Sequence, residues 1–527
     1  IDLIIKAQQP NGYLNVYFTV VEPNKRFTNL RDMHELYCAG HLIEAAVEHY
    51  KTTGKRHFLD ALCKYADYID SVFGNEEGKL RGYPGHEEIE LALVKLYHAT
   101  GNKKYFNLAK YFIDQRGQDP DYFMEEALKR GEKLDGLGFS PNPSERILGK
   151  GKDPRYWQNH LPVREQDEIV GHAVRAQYLF SGMVDVALET GDRELMDAAY
   201  ALWEDTTYRK MYITGGVGSS RENEGMTVSY DLPNESAYAE TCAAIALIFW
   251  TYRLLQYDLD GRFADIIEKT FYNGMISGLS LSGDHFFYEN PLAVLSTRRD
   301  FKRVEWFGCA CCPNNITRLV ATLGQYIYST RNTDIIIHQY LQNSATLSLG
   351  KAKVLVSQTT NYPWDGVIGI KISPENDAEP NMEIGLRLRV PGWCEKFTLT
   401  LVDASDKESS LQPKNEKGYI RVSRRWEPGD KLKLTLEVPI QRIHAHPKVE
   451  ADWGRFAFQR GPIVYCIEEA DNGRDLAGMI IPPTEKFETK FDPNLLGGVG
   501  VLHGTGFKQA LIKWGEDLYR SEERRVG

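Results

Sequence analysis

The spacing of apolar residues changes once along this 527-residue chain, close to residue 330. Before that point apolar side chains recur at i, i+3, i+4 and i+7, as in residues 86–97, which is the pattern of a helix with one buried face. After it, apolar and polar side chains alternate, as in residues 382–390 and 431–438, which is typical of strands. The chain is also too long for one compact core. We therefore predict a helical domain over 1–330, a β-sandwich over 331–445 and a second β unit over 446–527.

The helical part is predicted to be a ring of helix pairs. Glycine-containing turns that suit helix C-terminal caps follow several helices, at residues 53–54, 100–101 and 190–191. Pairs of helices repeated at similar intervals favour an α-helical toroid over a simple bundle. The predicted helices are 32–53, 58–73, 86–100, 103–115, 166–190, 193–207, 235–257, 260–277 and 313–330.

The charge distribution restricts the kind of partner, and the cysteine spacing indicates the cellular location. The 63 basic and 73 acidic residues are mixed along the chain, which argues against nucleic acid or an anionic membrane as the main partner. The eight cysteines do not have the spacing of a disulfide framework, so we predict a reducing, cytoplasmic location.

The chain begins with Ile1 rather than Met, and it ends in a charged tail. We interpret the helical domain as truncated at its N-terminus and the last β unit as incomplete.

Two short cysteine-containing segments are candidates for a metal site. Cys309, Cys311 and Cys312 fall within four positions, and Glu240 and Cys242 lie two residues apart at a predicted helix start. Thiolates and carboxylates are zinc ligands, and a thiolate is also the strongest nucleophile among side chains. The spacing matches no common structural zinc module. The residues alone therefore leave two interpretations open. The first is a zinc site. The second is a set of cysteines without a metal beside a helix start, either as buried thiols or as a disulfide.

Seven short segments, in chain order, resemble glycoside hydrolase family 127, which is typified by β-L-arabinofuranosidases. Each segment alone is short, but together they extend over most of residues 10–330. They are Asn29-Leu-Arg-Asp-Met-His-Glu-Leu-Tyr-Cys-Ala-Gly-His41, Gly82-Tyr-Pro-Gly-His86, Gly171-His-Ala-Val-Arg-Ala176, Thr214-Gly-Gly-Val-Gly218, Tyr230-Asp-Leu-Pro-Asn234, Tyr238-Ala-Glu-Thr-Cys242 and Cys309-Ala-Cys-Cys-Pro313.

The resemblance implies a fold and a metal centre. The fold would be mainly α with β, an (α/α)6 helical barrel followed by β-sandwich domains. The implied cofactor is Zn²⁺, and its ligands would be Glu240, Cys242, Cys311 and Cys312.

The resemblance also implies the catalytic residues. Cys311 would be the nucleophile and Glu224 the acid/base carboxylate. The local sequence departs here from the Gly-Glu-Ala-Phe form of the family, so Glu222 is a rival for the second role.

Five further residues match positions that line the sugar pocket of the family. Without the resemblance, lone histidines near helix starts are more often caps or core groups than ligands, and the tyrosine and glutamate would be a packing residue and a solvated charge. The five are His34, His86, His172, Glu268 and Tyr288.

These observations lead to one main hypothesis of function and two alternatives. The main hypothesis is a retaining exo-glycosidase that releases terminal β-L-arabinofuranose from arabino-oligosaccharides or glycans, using a zinc-bound cysteine nucleophile. The first alternative keeps the site but changes the sugar to another uncommon residue of plant pectin. The second is a non-catalytic carbohydrate-binding protein with a structural zinc. The expected partner is an oligosaccharide or glycan, with no nucleic acid or membrane, and a homodimer is a candidate assembly.

Overall fold

The structure, a computed structural model, describes residues 1–132, 153–294, 301–374, 383–474, 476–508 and 518–519. Among these residues, nine helices of nine or more residues precede the first strand. They are α1 (Glu35–Thr53), α2 (His57–Val72), α3 (Ile89–Thr100), α4 (Lys103–Gln115), α5 (Ala173–Thr190), α6 (Arg193–Asp205), α7 (Thr241–Tyr257), α8 (Gly261–Lys269) and α9 (Cys311–Ala321). No helix in the described ranges is long and apolar enough to cross a bilayer.

The helices alternate between an inner and an outer ring. Helix α1 packs on α3, α3 on α5, α5 on α7 and α7 on α9, and each of α2, α4, α6 and α8 packs outside an inner helix. Glycines in the left-handed conformation end three inner helices, at Gly54, Gly101 and Gly191, which confirms the predicted caps.

Burial explains which helices lie inside. In α7, 13 of the 17 residues are buried, and in α5, 14 of the 18, as expected for helices enclosed by neighbours. Outer helix α6 buries one face only, through residues such as Leu195, Leu202 and Trp203. Because each outer helix returns the chain to the same end of the ring, the inner helices all begin there.

Among the described residues, eleven strands that follow the barrel form two packed sheets. Their inner faces share one core, to which Ile335, Leu386, Val354 and Leu432 contribute. The strands are β1 (Tyr328–Arg331), β2 (Asp334–Ile337), β3 (Asn343–Leu349), β4 (Ala352–Thr360), β5 (Val367–Pro374), β6 (Ile384–Arg389), β7 (Phe397–Val402), β8 (Glu408–Leu411), β9 (Asn415–Glu416), β10 (Tyr419–Arg424) and β11 (Lys431–Leu436). One sheet has the order β1-β2-β6-β10-β9 and the other β3-β4-β5-β11-β7-β8.

The remaining strands form small antiparallel sheets, one of three strands and two of two strands, within the described residues. The strand Ile440–Ile443 pairs with the strand Ala457–Arg460, so one sheet joins residues on either side of position 445. The domain limits stay predictions, and residues 509–517 and 520–527 of the predicted last unit lie outside the described residues. The strands are β12 (Ile440–Ile443), β13 (Ala457–Arg460), β14 (Ile463–Tyr465), β15 (Met479–Ile480), β16 (Glu488–Asp492), β17 (Val499–His503) and β18 (Phe507–Lys508).

A buried ion-pair network joins the barrel to the sandwich. Arg389 of β6 is fully buried and pairs with Asp265 (2.5 Å) and with Glu268, both on α8. The Glu268 carboxylate also accepts hydrogen bonds from the Tyr362 hydroxyl at 2.5 Å and from Trp393 Nε1 at 3.2 Å. Its partners all belong to the sandwich. The structure thus places the Glu268 carboxylate in the domain interface, and its assignment to the sugar pocket stays a prediction.

We expect Glu268→Ala to act on stability rather than on substrate binding. The change leaves the Arg389 guanidinium buried without its main partner, which costs about 3–5 kcal/mol of unfolding free energy. Chemical denaturation measures this loss, and KM should not change under conditions where the variant is folded. The exposed Glu194→Ala on α6 is the control, with an effect within about 0.5 kcal/mol. A raised KM with normal stability would instead support the pocket assignment.

A second prediction concerns acid stability. His338 is buried, and its two ring nitrogens lie 2.7 Å from the Tyr419 hydroxyl and 2.8 Å from Ser329 Oγ. Burial, aided by Arg389, lowers the pKa of His338 to about 3. An unfolded histidine binds a proton near pH 6.5, so between pH 6.5 and 3 the unfolded state holds more protons and stability falls as the pH is lowered.

Replacing His338 with Gln removes this titration. Between pH 6.5 and 5 the wild-type protein should lose about 2 kcal/mol more unfolding free energy than His338→Gln. Denaturation curves at the two pH values measure the difference, with the exposed His503→Gln as the control. Parallel pH profiles for wild type and His338→Gln would contradict the prediction.

Candidate active site

The predicted site residues other than Glu268 gather where the inner helices begin. His34 directly precedes α1, His86 lies three residues before α3, and His172 is the N-terminal cap of α5. Glu240 directly precedes α7, and Cys311 is the first residue of α9. Five helix N-termini therefore point into one region, and their dipoles favour negative charge there. This accounts for a cluster of acidic ligands at that end of the barrel.

The four predicted metal ligands form one compact group, named here the ligand cluster: Glu240, Cys242, Cys311 and Cys312. One ligand atom from each lies within 4.8 Å of every other. Cys242 Sγ is 3.4 Å from Cys312 Sγ, which is 3.8 Å from Cys311 Sγ. The Oε1 atom of Glu240 is 3.5 Å from the sulfur of Cys311 and 3.8 Å from that of Cys312. The ligand cluster can therefore hold one metal ion.

The chemistry and spacing of the ligand cluster fit zinc. A tetrahedral site with zinc–sulfur bonds of about 2.3 Å separates its sulfurs by roughly 3.8 Å, close to the spacing observed. Burial raises the pKa of Glu240 to about 8, and it raises the pKa of Cys242 and Cys312 above the ordinary thiol value. The Glu240 Oε2 atom is buried without a hydrogen bond to any described residue. A bound cation would compensate these buried acids.

Glu224 lies beside the ligand cluster on the loop between α6 and α7. Its Oε2 atom is 3.2 Å from His172 Nε2 and accepts a hydrogen bond from the Tyr156 hydroxyl at 3.2 Å. Its charge is the second cause, after burial, of the raised pKa of Glu240, so the two carboxylates are close. The rival Glu222 is exposed, two residues away.

Backbone contacts fix the position of Glu224. Its φ of 52° lies in the left-handed region, which is uncommon for a residue with a Cβ atom. The Glu224 carbonyl accepts a hydrogen bond from the Ala173 N–H at 3.1 Å, and a Cβ on Gly225 would lie 1.8 Å from the Gly171 carbonyl oxygen. The loop is thus pressed against the start of α5. This strained conformation is held by the same segment that carries His172.

The three predicted histidines form a row. The ring centroids of His34 and His86 are 5.5 Å apart, and those of His86 and His172 are also 5.5 Å apart. The Nδ1 atom of His172 accepts the N–H groups of Val174 and Arg175, so its Nε2 carries the proton and donates to Glu224. Burial lowers the pKa of His172 to about 4, so the ring is neutral at pH 7.

Tyr288 also lies at the ligand cluster. Its carbonyl oxygen accepts the N–H of Thr241, the first residue of α7, at 2.9 Å. Burial, followed by the charges of Glu240 and Cys311, raises the pKa of its hydroxyl above the usual range. The structure therefore brings together every predicted site residue except Glu268.

Two pocket residues were missed by the sequence interpretation. Tyr156 belongs to the segment Pro154–Trp157, which has no distinguishing spacing, and it binds Glu224. The Arg175 guanidinium lies 5.0 Å from the Tyr156 ring and donates to the Gly85 carbonyl at 2.5 Å. After burial, its positive charge is the next cause of the lowered pKa of His34 and His86. Arg175 lies inside the 171–176 segment that carries the family resemblance, so this segment could have indicated Arg175 as a site residue.

Comparison with protein-family models shows the family to which the chain belongs. Residues 1–325 match the catalytic-domain model of the family 127 β-L-arabinofuranosidases, residues 334–438 the middle domain and residues 440–497 the C-terminal domain of the family. The chain belongs to glycoside hydrolase family 127. It is therefore an enzyme, a glycoside hydrolase, and the predicted family is confirmed.

Individual relatives agree with the family models. A non-reducing end β-L-arabinofuranosidase of Bifidobacterium longum subsp. longum is 38% identical over all of this chain and 80% of its own length. The crystal structure of a family 127 β-L-arabinofuranosidase from Geobacillus stearothermophilus T6 is 49% identical, with a TM-score of 0.91 over 98% of this chain and 80% of that one. Another solved family 127 β-arabinofuranosidase is 37% identical, with a TM-score of 0.85 over 98% and 78% of the two chains. This similarity confirms the predicted barrel followed by β domains.

Proposed function

We propose that this glycoside hydrolase is a retaining exo-enzyme that releases terminal β-L-arabinofuranose, with Cys311 as nucleophile and Glu224 as acid/base. The observation that carries the proposal is the difference in exposure within the ligand cluster. Cys242 and Cys312 are buried, whereas Cys311 is partly exposed. Among the three sulfurs, Cys311 is therefore the one that a sugar can reach from the solvent side. The names of the relatives support the choice of sugar.

The metal centre would be held by Glu240, Cys242, Cys311 and Cys312. Zinc, when bound, keeps thiol groups deprotonated at neutral pH. The family membership removes the non-catalytic alternative, because the chain is a glycoside hydrolase. The residues that would hold the zinc ion then include the proposed nucleophile, Cys311.

In the first step, the Cys311 thiolate attacks the anomeric carbon and forms a carbon–sulfur bond. The bond from that carbon to the leaving oxygen breaks, and the Glu224 carboxyl group gives its proton to this oxygen. The His172 Nε2–H and the Tyr156 hydroxyl, both at 3.2 Å, hold the Glu224 carboxyl in place and stabilise the carboxylate that remains. The product is a thioglycosyl-enzyme and a free alcohol.

In the second step, the Glu224 carboxylate takes a proton from a water molecule as its oxygen attacks the anomeric carbon. The carbon–sulfur bond breaks, and Cys311 returns to the thiolate. Two displacements at one carbon restore the original configuration, which is the retaining outcome. Glu222, exposed and without a contact to His172 or Tyr156 in the described structure, lacks the setting for this role.

The row of histidines fits the recognition of a small sugar. His34, His86 and His172 have pKa values lowered mainly by burial, so they are neutral near pH 7 and can each donate and accept hydrogen bonds. Neutral rings suit sugar hydroxyl groups, which carry no charge. We infer that these side chains bind the furanose hydroxyls.

A panel of aryl glycosides tests the substrate. We expect release of L-arabinose from the β-L-arabinofuranoside, with at least about 100-fold lower kcat/KM for the α-anomer and for pyranosides, because the histidine row fits one arrangement of hydroxyls. Faster cleavage of another uncommon pectic sugar would favour the first alternative. No cleavage of any member would contradict the proposed activity.

Metal removal is expected to abolish activity. Without a cation the thiols of the ligand cluster take up protons, because burial raises their pKa values. Dialysis against a strong chelator should lower kcat at least about 100-fold, and one equivalent of Zn²⁺ should restore it. Metal content and activity are measured on the same samples. Full activity in a protein shown to be free of metal would contradict the prediction.

A further inference from the structure

Asn315 lies on α9, one turn after Cys311, with its side chain buried beneath the ligand cluster. Its amide nitrogen is 3.1 Å from the sulfur of Cys242. Its amide oxygen accepts hydrogen bonds from the Tyr178 hydroxyl at 3.0 Å and from Arg318 Nη1 at 3.3 Å. Each polar atom of the Asn315 side chain therefore has a partner inside the barrel.

The contact with Arg318 decides which way the amide faces. A guanidinium group has only donors, so the atom of Asn315 that faces it must be the oxygen. The Tyr178 hydroxyl accepts from Arg318 at 3.2 Å, and it therefore gives its own proton to the same oxygen. The NH2 group is left pointing at Cys242. The contact with the sulfur is thus an N–H donor directed at a sulfur acceptor.

Arg318 is itself held by buried charges. It pairs with Glu44 and lies 3.2 Å from Glu88, both of which are buried. Lys95 pairs with Glu44 as well. With His41, these two carboxylates form a group that has the composition of a second metal site. Arg318 and Lys95 already supply positive charge there. We therefore interpret the group as an ion-pair network that holds Arg318, and through it Asn315, in place.

The sulfurs of the ligand cluster thus have different surroundings. Cys242 is buried and receives an N–H donor from Asn315, whereas Cys311 is partly exposed. A reaction at Cys311 would remove its charge from the metal centre while the sugar is attached. A cation held there would then depend on Glu240, Cys242 and Cys312.

We propose that Asn315 is a positioning residue that holds Cys242 as a permanent ligand, so that the cation stays bound while Cys311 reacts. The inference rests on the proposed function, because it assumes a cation at the ligand cluster. Partners outside the ligand shell orient metal ligands and commonly contribute about 10- to 100-fold to metal affinity. A hydrogen bond to the sulfur also withdraws electron density from it.

The test uses the full chain with Co²⁺ in place of the native metal, because thiolate–Co²⁺ charge-transfer bands report the electron density on sulfur. Asn315→Asp keeps the shape of the side chain and the contact with Arg318 but removes the N–H donor. Asn315→Ala removes the whole amide. Asn314→Ala is the matched control, since it changes the same residue type on the same helix at an exposed position.

We expect both Asn315 variants to shift the charge-transfer band to longer wavelength and to release metal to a chelating dye about 10-fold faster than wild type. Asn314→Ala should match wild type in both measurements. If Asn315→Ala fails to fold by circular dichroism, the shape-conserving Asn315→Asp decides the question. A band and a release rate equal to those of wild type in the folded Asn315 variants would overturn the inference. A wild-type protein that shows no thiolate–Co²⁺ band would instead contradict the proposed metal centre.

Discussion

Cys311→Ser is expected to lower kcat/KM for an aryl β-L-arabinofuranoside by at least about 10³-fold, which corresponds to about 4 kcal/mol of transition-state stabilisation. The serine hydroxyl occupies nearly the same volume, but it is not ionised at neutral pH and is a poor nucleophile. The change also removes one of the four side chains of the ligand cluster. Steady-state kinetics on the purified variant measure the loss.

The exposed Cys466→Ser is the control for Cys311→Ser. It makes the same chemical change in the C-terminal β region and should keep wild-type kinetics. Metal content must be measured in parallel, so that loss of the ion and loss of the nucleophile are separated. Activity of Cys311→Ser close to the wild-type level would exclude this sulfur as the nucleophile.

Glu224→Gln is expected to have the second largest effect, a loss of about 10²- to 10⁴-fold for alkyl or oligosaccharide substrates. The amide cannot give a proton to the leaving oxygen. Substrates with acidic phenol leaving groups need little proton donation, so they should lose less in the first step. The second step then becomes limiting, because no carboxylate activates water.

Azide offers a diagnostic test for Glu224→Gln. It attacks the thioglycosyl-enzyme without prior deprotonation, so it should restore turnover of activated aryl substrates and yield the glycosyl azide with retained configuration. Glu222→Gln, changed two residues away at an exposed position, is the matched control and should behave like wild type. The reverse pattern in the two variants would transfer the acid/base role to Glu222.

The helical and β-strand regions were predictable because burial imposes a period on the chain. The alternation in residues 431–438 and the helical spacing around residue 91 follow directly from packing one face. Helix starts were predicted less well. The helices placed at 166–190 and 235–257 begin at Ala173 and Thr241, because the preceding residues are extended and carry pocket side chains.

The ligand cluster was predictable from residue types, whereas its surroundings were not. Cys311 and Cys312 are adjacent in sequence, but their approach to Glu240 depends on two helix starts about 70 residues apart along the chain. The resemblance to the family, rather than the spacing of the residues, predicted that these cysteines and Glu240 lie together. Glu268 shows the limit, because a charged residue with helical spacing does not reveal that a buried arginine of the sandwich, Arg389, encloses it.

The central claim is that a sugar becomes attached to the sulfur of Cys311. The direct measurement is mass spectrometry of the enzyme quenched with acid during turnover of the activated aryl substrate, using Glu224→Gln to slow the second step. We predict one additional anhydropentose on the peptide that contains Cys311, with none on peptides that contain Cys242 or Cys466. An unmodified Cys311 peptide during demonstrated turnover, or a pentose attached to a carboxylate instead, would contradict the account.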